Sequence, residues 1–299
     1  MGEGLTMNIN MHRQILDGQL KDIESLRREI ESISHAKPES QDGVSFEEVH
    51  ANCCKHGDYT AFVRKVVIAG REIISSKSKC PECLRDKLAD REIEHQESLR
   101  LAKQANIDSL LSSLNIPERF ASCTLDNYQP VTKDADRAMR VCQAYAAKWP
   151  ERLKQGGGLV MCGKPGTGKN HLALAIARHV IEHHQSSVIF TTALKIARDF
   201  KSTWSKNSTR SEDEVISHFT HADLLIIDEV GVQFGSEAEK LIMFEIINTR
   251  YEKMKPTILI SNQTKDELSA FIGERVIDRM NDGGGCTLSF TWDSYRSQS

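Results

Sequence analysis

Seven residues, Gly163-Lys164-Pro165-Gly166-Thr167-Gly168-Lys169, form the stretch of this chain best suited to chemistry. They follow a short apolar run, Leu159 to Cys162, and precede a helical pattern that starts near His171. Strand, glycine loop, lysine and helix, in that order, make a phosphate cradle. The glycines let backbone N–H groups turn toward phosphate oxygens, the helix N-terminus adds its positive end, and Lys169 brings a full charge to the β- and γ-phosphates. ATP or ADP fits this cradle, with Gly163 to His171 as its contacts. The residue after the lysine, usually a Ser or Thr whose hydroxyl ligates Mg²⁺, is Asn170. A neutral amide oxygen also ligates a hard cation, with different geometry.

A second stretch completes the nucleotide chemistry. Leu224-Leu225-Ile226-Ile227 runs into Asp228-Glu229, a strand buried on both faces whose C-terminal end delivers two carboxylates beside the phosphate loop. Asp228 would hold Mg²⁺, directly or through water, and Glu229 would polarise a water attacking the γ-phosphate. A further strand, Thr257 to Ser261, ends at Asn262, which either hydrogen-bonds that water or the γ-phosphate or simply caps the strand. In the helical stretch Gly273 to Met280, Arg275 and Arg279 stand four residues apart on one face. Such arginines reach the γ-phosphate of a neighbouring subunit, or form a solvated, salt-bridged face.

A cysteine cluster lies upstream. Cys54 and His56 precede Cys80-Pro81-Glu82-Cys83, and these four side chains make a tetrahedral zinc set, with Cys53 and His50 as competing ligands. Too little apolar material lies between them to fold alone, so a structural metal is expected. No thioredoxin-like pattern surrounds the Cys-x-x-Cys pair, which disfavours a redox role. From Leu194 to Arg210, Lys195, Arg198, Lys201, Lys206 and Arg210 face a single acid, Asp199, and interleave with Phe200 and Trp204. Basic side chains along a backbone and aromatics beneath bases suit single-stranded nucleic acid, with Lys195, Arg198, Phe200, Lys201 and Trp204 as the contacts. The plainer reading puts Phe200 and Trp204 in the core of an amphipathic helix.

These residues need elements to hold them. Ile9, Leu16, Ile23 and Ile30 recur every seven residues in a helix over 9–33, with Leu26 and Ile33 beside them and His12 and Gln19 interrupting the seam. That helix packs on its own domain, self-associates or docks on a partner. Residues 37–43 read as a linker, and a β ribbon lies between the cysteine pairs. Leu84 to about Asn115 reads as a helical connector, and residues 116–130 as an irregular entry that wraps near the nucleotide base. A helix spans Asp136 to Trp149, and core strands lie at 159–162, 188–192, 224–228, 257–262 and 287–291. The expected domains are a helix at 1–36, a zinc-binding domain at 37–90, a helical linker at 91–116 and an ATPase domain at 117–299.

Bulk composition narrows the class. With Lys+Arg 39 against Asp+Glu 42, any nucleic-acid contact must be a local patch. No apolar run approaches the roughly 18 residues needed to span a bilayer, and the N-terminus lacks the apolar region of a secretory signal. Met1-Gly2 with Thr6 matches a myristoylation pattern by letters alone. A cytoplasmic protein with no membrane contact is expected, its eight cysteines serving as thiols or metal ligands rather than disulfides.

The two nucleotide motifs, the terminal asparagine and the paired arginines resemble those of AAA+ ATPases. Gly163 to Leu172 (GKPGTGKNHL), Leu224 to Gln233 (LLIIDEVGVQ), Gly273 to Met280 (GERVIDRM) and Trp292 to Ser297 (WDSYRS) are similar to the DnaC-like replicative helicase loaders, whose form of the first motif also carries the asparagine. The resemblance covers roughly residues 116–299. It implies an α/β fold with a parallel five-stranded AAA+ sheet core lacking the C-terminal lid; the residues upstream, read by themselves, add a small zinc-binding, partly helical N-terminal domain. It implies Arg279 as the trans-acting finger, with Arg275 supporting it. It also implies a loader that uses ATP to place a hexameric replicative helicase on single-stranded DNA, gripping it through the N-terminal part and assembling side by side into a spiral. ATP hydrolysis would be slow without partners. ATP or ADP and Mg²⁺ are the implied cofactors, and the cysteine–histidine cluster adds Zn²⁺. A transposition helper ATPase of the IstB kind and a non-hydrolysing ATP-switched adaptor are the alternatives.

Overall fold

The computed structural model describes residues 2–34, 44–68, 71–205, 208–231 and 237–295. The expected linker at 37–43, Lys206, the Val232-Gln233 end of the second nucleotide motif and Arg296-Ser297 lie outside the described residues, as do the side chains of Ile9 and His12. Two compact units divide the chain at residues 105 and 106.

In the first unit, α1 (Gly2–Ser34) precedes an antiparallel ribbon of β1 (Val44–Cys53), β2 (Gly57–Ile68) and β3 (Arg71–Lys77), and α2 (Pro81–Ser113) follows. Ile23 and Leu26 of α1 are buried, so the apolar seam packs within its own unit. Gln19, which interrupts that seam, is matched rather than tolerated: its amide donates to Ser98 Oγ at 3.1 Å and its Oε1 lies 3.3 Å from His95 Nδ1. The ribbon buries little; Ala61 and Val63 of β2 are inside, whereas every residue of β3 is exposed.

The second unit begins in the last turns of α2, where Ile107 is buried, as is Leu114 just beyond the helix end. A 3₁₀ turn (Glu118–Phe120) leads to α3 (Lys133–Ala147) and α4 (Trp149–Gln155). The sequence reading ran a single helix from Asp136 to Trp149. Two form instead: the chain leaves helical geometry at Lys148, and Pro150 sits in the first turn of α4, where a missing N–H costs nothing. Thereafter β4 (Leu159–Gly163), α5 (Lys169–His184), β5 (Val188–Thr192), α6 (Ala193–Ser202), α7 (Glu212–His221), β6 (Leu224–Asp228), α8 (Glu237–Glu252), β7 (Thr257–Ile260), α9 (Lys265–Ile272), α10 (Glu274–Asn281) and β8 (Cys286–Phe290) follow. No α-helix follows β8 among the described residues.

Strand order is β5-β6-β7-β4-β8, with every pairing parallel. Alternating residues of the strands feed two cores. Leu159, Met161, Leu224, Ile226, Ile258 and Ile260 pack with α3 and α5 on one face. Val160, Cys162, Leu225, Ile227 and Leu259 pack with α6, α7, α8 and α10 on the other. Helices on both faces of a parallel sheet place the ligand crevice at the carboxyl ends of the strands, where Gly163 and Asp228 stand.

One buried charge ties together the segments that lead into β6 and β7. Arg250 is fully buried, and its guanidinium donates to the carbonyls of Phe219, Ala222 and Pro256 at 2.8, 2.8 and 2.6 Å and to Thr257 Oγ1 at 2.9 Å. Several carbonyl acceptors solvate the cation in place of water, and in doing so fix the starts of β6 and β7.

Candidate functional site

The phosphate loop leaves β4 at Gly163, whose φ of +123° only glycine adopts readily, and enters α5 at Lys169 through Gly168 at φ +93°. A side chain would not fit either turn: a Cβ on Gly166 would meet Ser294 Oγ at 2.1 Å, and one on Gly168 would meet the Tyr128 ring at 2.5 Å. The first-turn amides of α5 have no earlier carbonyl within the helix to bond, so they are free for an anion. Lys169 is buried, and its ammonium donates to Gly163 O at 2.8 Å and Lys164 O at 2.6 Å. Burial lowers its pKa to about 8, with the Asp228 carboxylate acting against that shift.

The loop borders a cavity of about 570 Å³, in the size range of small-molecule sites. Arg119, Phe120, Asn127, Tyr128 and Val131 of the entry segment line one side, Pro165 to His171 the floor, and Asp228, Glu229 and Asn262 the far wall. His171 is held by Thr124 O at 2.9 Å and lies edge-on to Tyr128, with ring centroids 5.4 Å apart. Tyr128 was not singled out by role from sequence, yet its hydroxyl donates to Thr167 O at 3.1 Å. Within this cavity Asn170 and Asp228 meet: Asn170 Nδ2 donates to Asp228 Oδ2 at 2.6 Å. Glu229 is exposed, adopts φ +58°, and donates its backbone N–H to Asp228 Oδ1 at 2.7 Å. A left-handed non-glycine residue costs about 1–3 kcal/mol and collects at functional sites; here it turns the glutamate out of the strand line and into the cavity. Glycines, first-turn amides, a buried lysine and paired acids together fit a nucleoside triphosphate with its cation.

Arg275 and Arg279 do not line this cavity. Arg275 is exposed; Arg279 is half-buried, with its guanidinium 5.2 Å from the Tyr251 ring centroid and 6.0 Å from that of Phe244. On α6, Lys195, Arg198 and Lys201 are exposed, and Trp204, in the turn beyond, is 58% exposed and donates its indole N–H to Glu212 at 2.6 Å. Phe200 corrects the sequence reading. It is buried in the core with Ile196 and Val215 and meets Trp204 edge-on at 6.2 Å, so it has no face to offer a base.

In the first unit, Cys53, His56, Cys80 and Cys83 bring their ligand atoms within 4.8 Å of one another. Cys53 replaces Cys54 of the sequence reading. Strand residues alternate in direction, and with Cys53 paired to Gly57 at the end of β1 it is Cys53 that faces α2, while Cys54 is exposed. His50 is not in the group. His56 Nδ1 lies 3.7, 3.7 and 3.3 Å from the sulfurs of Cys53, Cys80 and Cys83, close to the edge lengths of a zinc tetrahedron, about 3.5–3.8 Å for ordinary Zn–S and Zn–N bonds. The amides of Lys55 and then His56 hold the Cys53 thiol down at about 6. His56 Nε2 lies 3.1 Å from Asp86 Oδ2, and Lys55 pairs with the same carboxylate. No helix of the described residues is long and apolar enough to cross a membrane.

Comparison with known proteins places this arrangement. Residues 75–298 match the family of IstB-like ATP binding proteins. The replicative helicase loader DnaC of Buchnera aphidicola (subspecies Acyrthosiphon pisum) is 34% identical over 198 residues, 66% of this chain and 79% of that protein. The replicative helicase loader DnaC of Escherichia coli K12 is 36% identical over 177 residues, 59% of this chain and 70% of that protein. A crystal structure of the DnaC helicase loader superposes with a TM-score of 0.52 at 21% identity, over 58% of this chain and 99% of that one, which supports the AAA+ fold. The chain belongs to the IstB-like ATP binding protein family and, within it, is a DnaC-like member.

Proposed function

We propose that this protein uses ATP to load a hexameric replicative helicase onto single-stranded DNA. The observation that carries the reading is the Asn170–Asp228 contact at the phosphate loop, set in a chain whose named relatives are replicative helicase loaders. In this reading the loop amides and Lys169 bind the phosphates, Asn170 and Asp228 hold Mg²⁺, Glu229 orients the attacking water, and Asn262 bonds that water or the γ-phosphate. Arg279 of an adjacent subunit completes the site, so subunits stack side by side and hydrolysis waits on assembly. Lys195, Arg198, Lys201 and Trp204 contact the DNA strand. The first unit, holding Zn²⁺ on Cys53, His56, Cys80 and Cys83, grips the helicase.

Light scattering of the protein mixed with its host's replicative helicase, with and without ATP, tests this. A defined complex supports the loader; no complex in either state, with intact helicase and zinc present, overturns it. The family description also suits a transposition helper ATPase, and binding to a transposase in place of a helicase is the result that would favour it.

A further inference from the structure

The last motif of the sequence, Trp292 onward, has no place in the chemistry above, yet it lies across the phosphate loop. Trp292 is 7% exposed, its ring packs on that of buried Phe290 with centroids 4.8 Å apart, and its indole N–H donates to Thr167 O at 3.2 Å. Three residues on, the backbone N–H of Tyr295 donates to Gly166 O at 3.1 Å, and its hydroxyl donates to Gln129 Oε1 at 2.9 Å. Ser294 fills the space over Gly166 where a Cβ would stand. Lys164 pairs with Asp293 at 2.8 Å, but both side chains are mostly exposed and such a pair contributes little.

The chemistry of these contacts has a direction. A phosphate loop binds anions with its N–H groups, and each peptide that turns its N–H inward turns its carbonyl outward. Two of those outward carbonyls, Gly166 O and Thr167 O, accept from the strap. We propose that residues 292–295 are positioning residues that hold the phosphate loop in its anion-binding conformation. The strap touches none of the reacting atoms; it lowers the conformational cost of binding by fixing the loop beforehand. Tyr295 also lines the cavity, so the strap closes one side of it. The inference rests on the nucleotide reading of this cavity.

Two variants of the full chain separate positioning from folding. Tyr295→Pro removes the N–H that bonds Gly166 O, at an exposed position, and Tyr295→Phe keeps that N–H while removing the hydroxyl. Titration with a fluorescent ATP analogue and Mg²⁺ is expected to show affinity two- to tenfold weaker for Tyr295→Pro, the loss of about one net hydrogen bond, and a smaller change for Tyr295→Phe. Trp292→Phe should fall between them, since Thr167 O keeps its bond from Tyr128. Coupling is reciprocal, so nucleotide must slow hydrogen exchange at residues 292–295 in the unaltered protein, where folding is not in question. Tyr295→Pro binding within twofold of the parent, or exchange unchanged by saturating nucleotide, overturns the proposal. An unaltered chain that binds no nucleotide overturns the reading of the cavity itself, a result distinct from normal binding by both parent and variants.

Discussion

Asn170 and Asp228 stand 58 residues apart in the chain and 2.6 Å apart in space, the amide nitrogen of one donating to the carboxylate of the other. The bond orients both. With its nitrogen on Asp228, the asparagine would keep its Oδ1 for a hard cation in the proposed reading, an amide in the place a hydroxyl usually fills. The expected consequence is selective. Asn170→Ala should weaken Mg²⁺·ATP binding about tenfold, the worth of one charge-assisted contact, and leave ATP binding in EDTA unchanged. Lys169→Ala should abolish binding in both conditions. Equal losses for Asn170→Ala with and without Mg²⁺ would remove the cation role.

Acid should weaken the contacts at the start of β6. Burial alone would raise the Asp223 carboxyl, but Lys255 at 2.8 Å and the Ser187 amide at 3.0 Å outweigh it and hold the group below its ordinary value. A carboxyl depressed by folding contributes stability above its unfolded pKa, near 4, and loses it as pH falls through the folded value. Thermal melts from pH 6 to pH 3 should therefore show an acid limb that Asp223→Asn flattens. A limb of equal depth in the variant would assign acid sensitivity to other groups.

How much of this was legible in the sequence follows from the physics of each element. The parallel strands announce themselves because burial on both faces demands apolar runs such as Leu224 to Ile227, and the phosphate loop does so because its glycines sit where no Cβ fits. Cys53 and Cys54 could not be told apart, since adjacent strand residues differ only in direction and the pairing with Gly57 decides it. Phe200 and Trp204, four apart, read as one helical face, but α6 ends at Ser202, which leaves Phe200 in the core and Trp204 outside. The strap carries no periodicity; its residue types are visible in the sequence, but that a backbone N–H of Tyr295 and the indole N–H of Trp292 meet loop carbonyls is decided by the fold.

Arg279, proposed above as the trans-acting finger, lies away from the cavity of its own chain. Its guanidinium rests on Tyr251 and Phe244 and lines no part of its own chain's nucleotide cavity. Arg279→Ala should leave nucleotide affinity of the isolated chain unchanged and lower turnover in the assembly with helicase and DNA by about 10³-fold or more, the range for such arginines. Arg279→Lys should not restore it, because an ammonium lacks the planar fork. Normal stimulated turnover in Arg279→Ala would assign the residue to packing alone.

The cysteine group makes the first unit testable through metal. With β3 exposed along its length and only Ala61 and Val63 buried in β2, the ribbon has little apolar core, so in the proposed reading zinc would supply free energy that packing does not. Zinc per chain, measured on purified protein, should be one for the parent and for Cys54→Ser and should fall for Cys53→Ser and Cys80→Ser. Asp86→Ala should retain zinc but yield it to a chromogenic chelator at 10- to 100-fold lower chelator concentration, because Asp86 receives His56 Nε2–H and keeps Nδ1 turned toward the three sulfurs. Asp86→Asn, whose carbonyl still accepts that proton, should recover most of the affinity. Zinc retained by Cys53→Ser and lost by Cys54→Ser would reverse the ligand assignment, and Asp86→Ala indistinguishable from the parent would show that the histidine is held by its other neighbours.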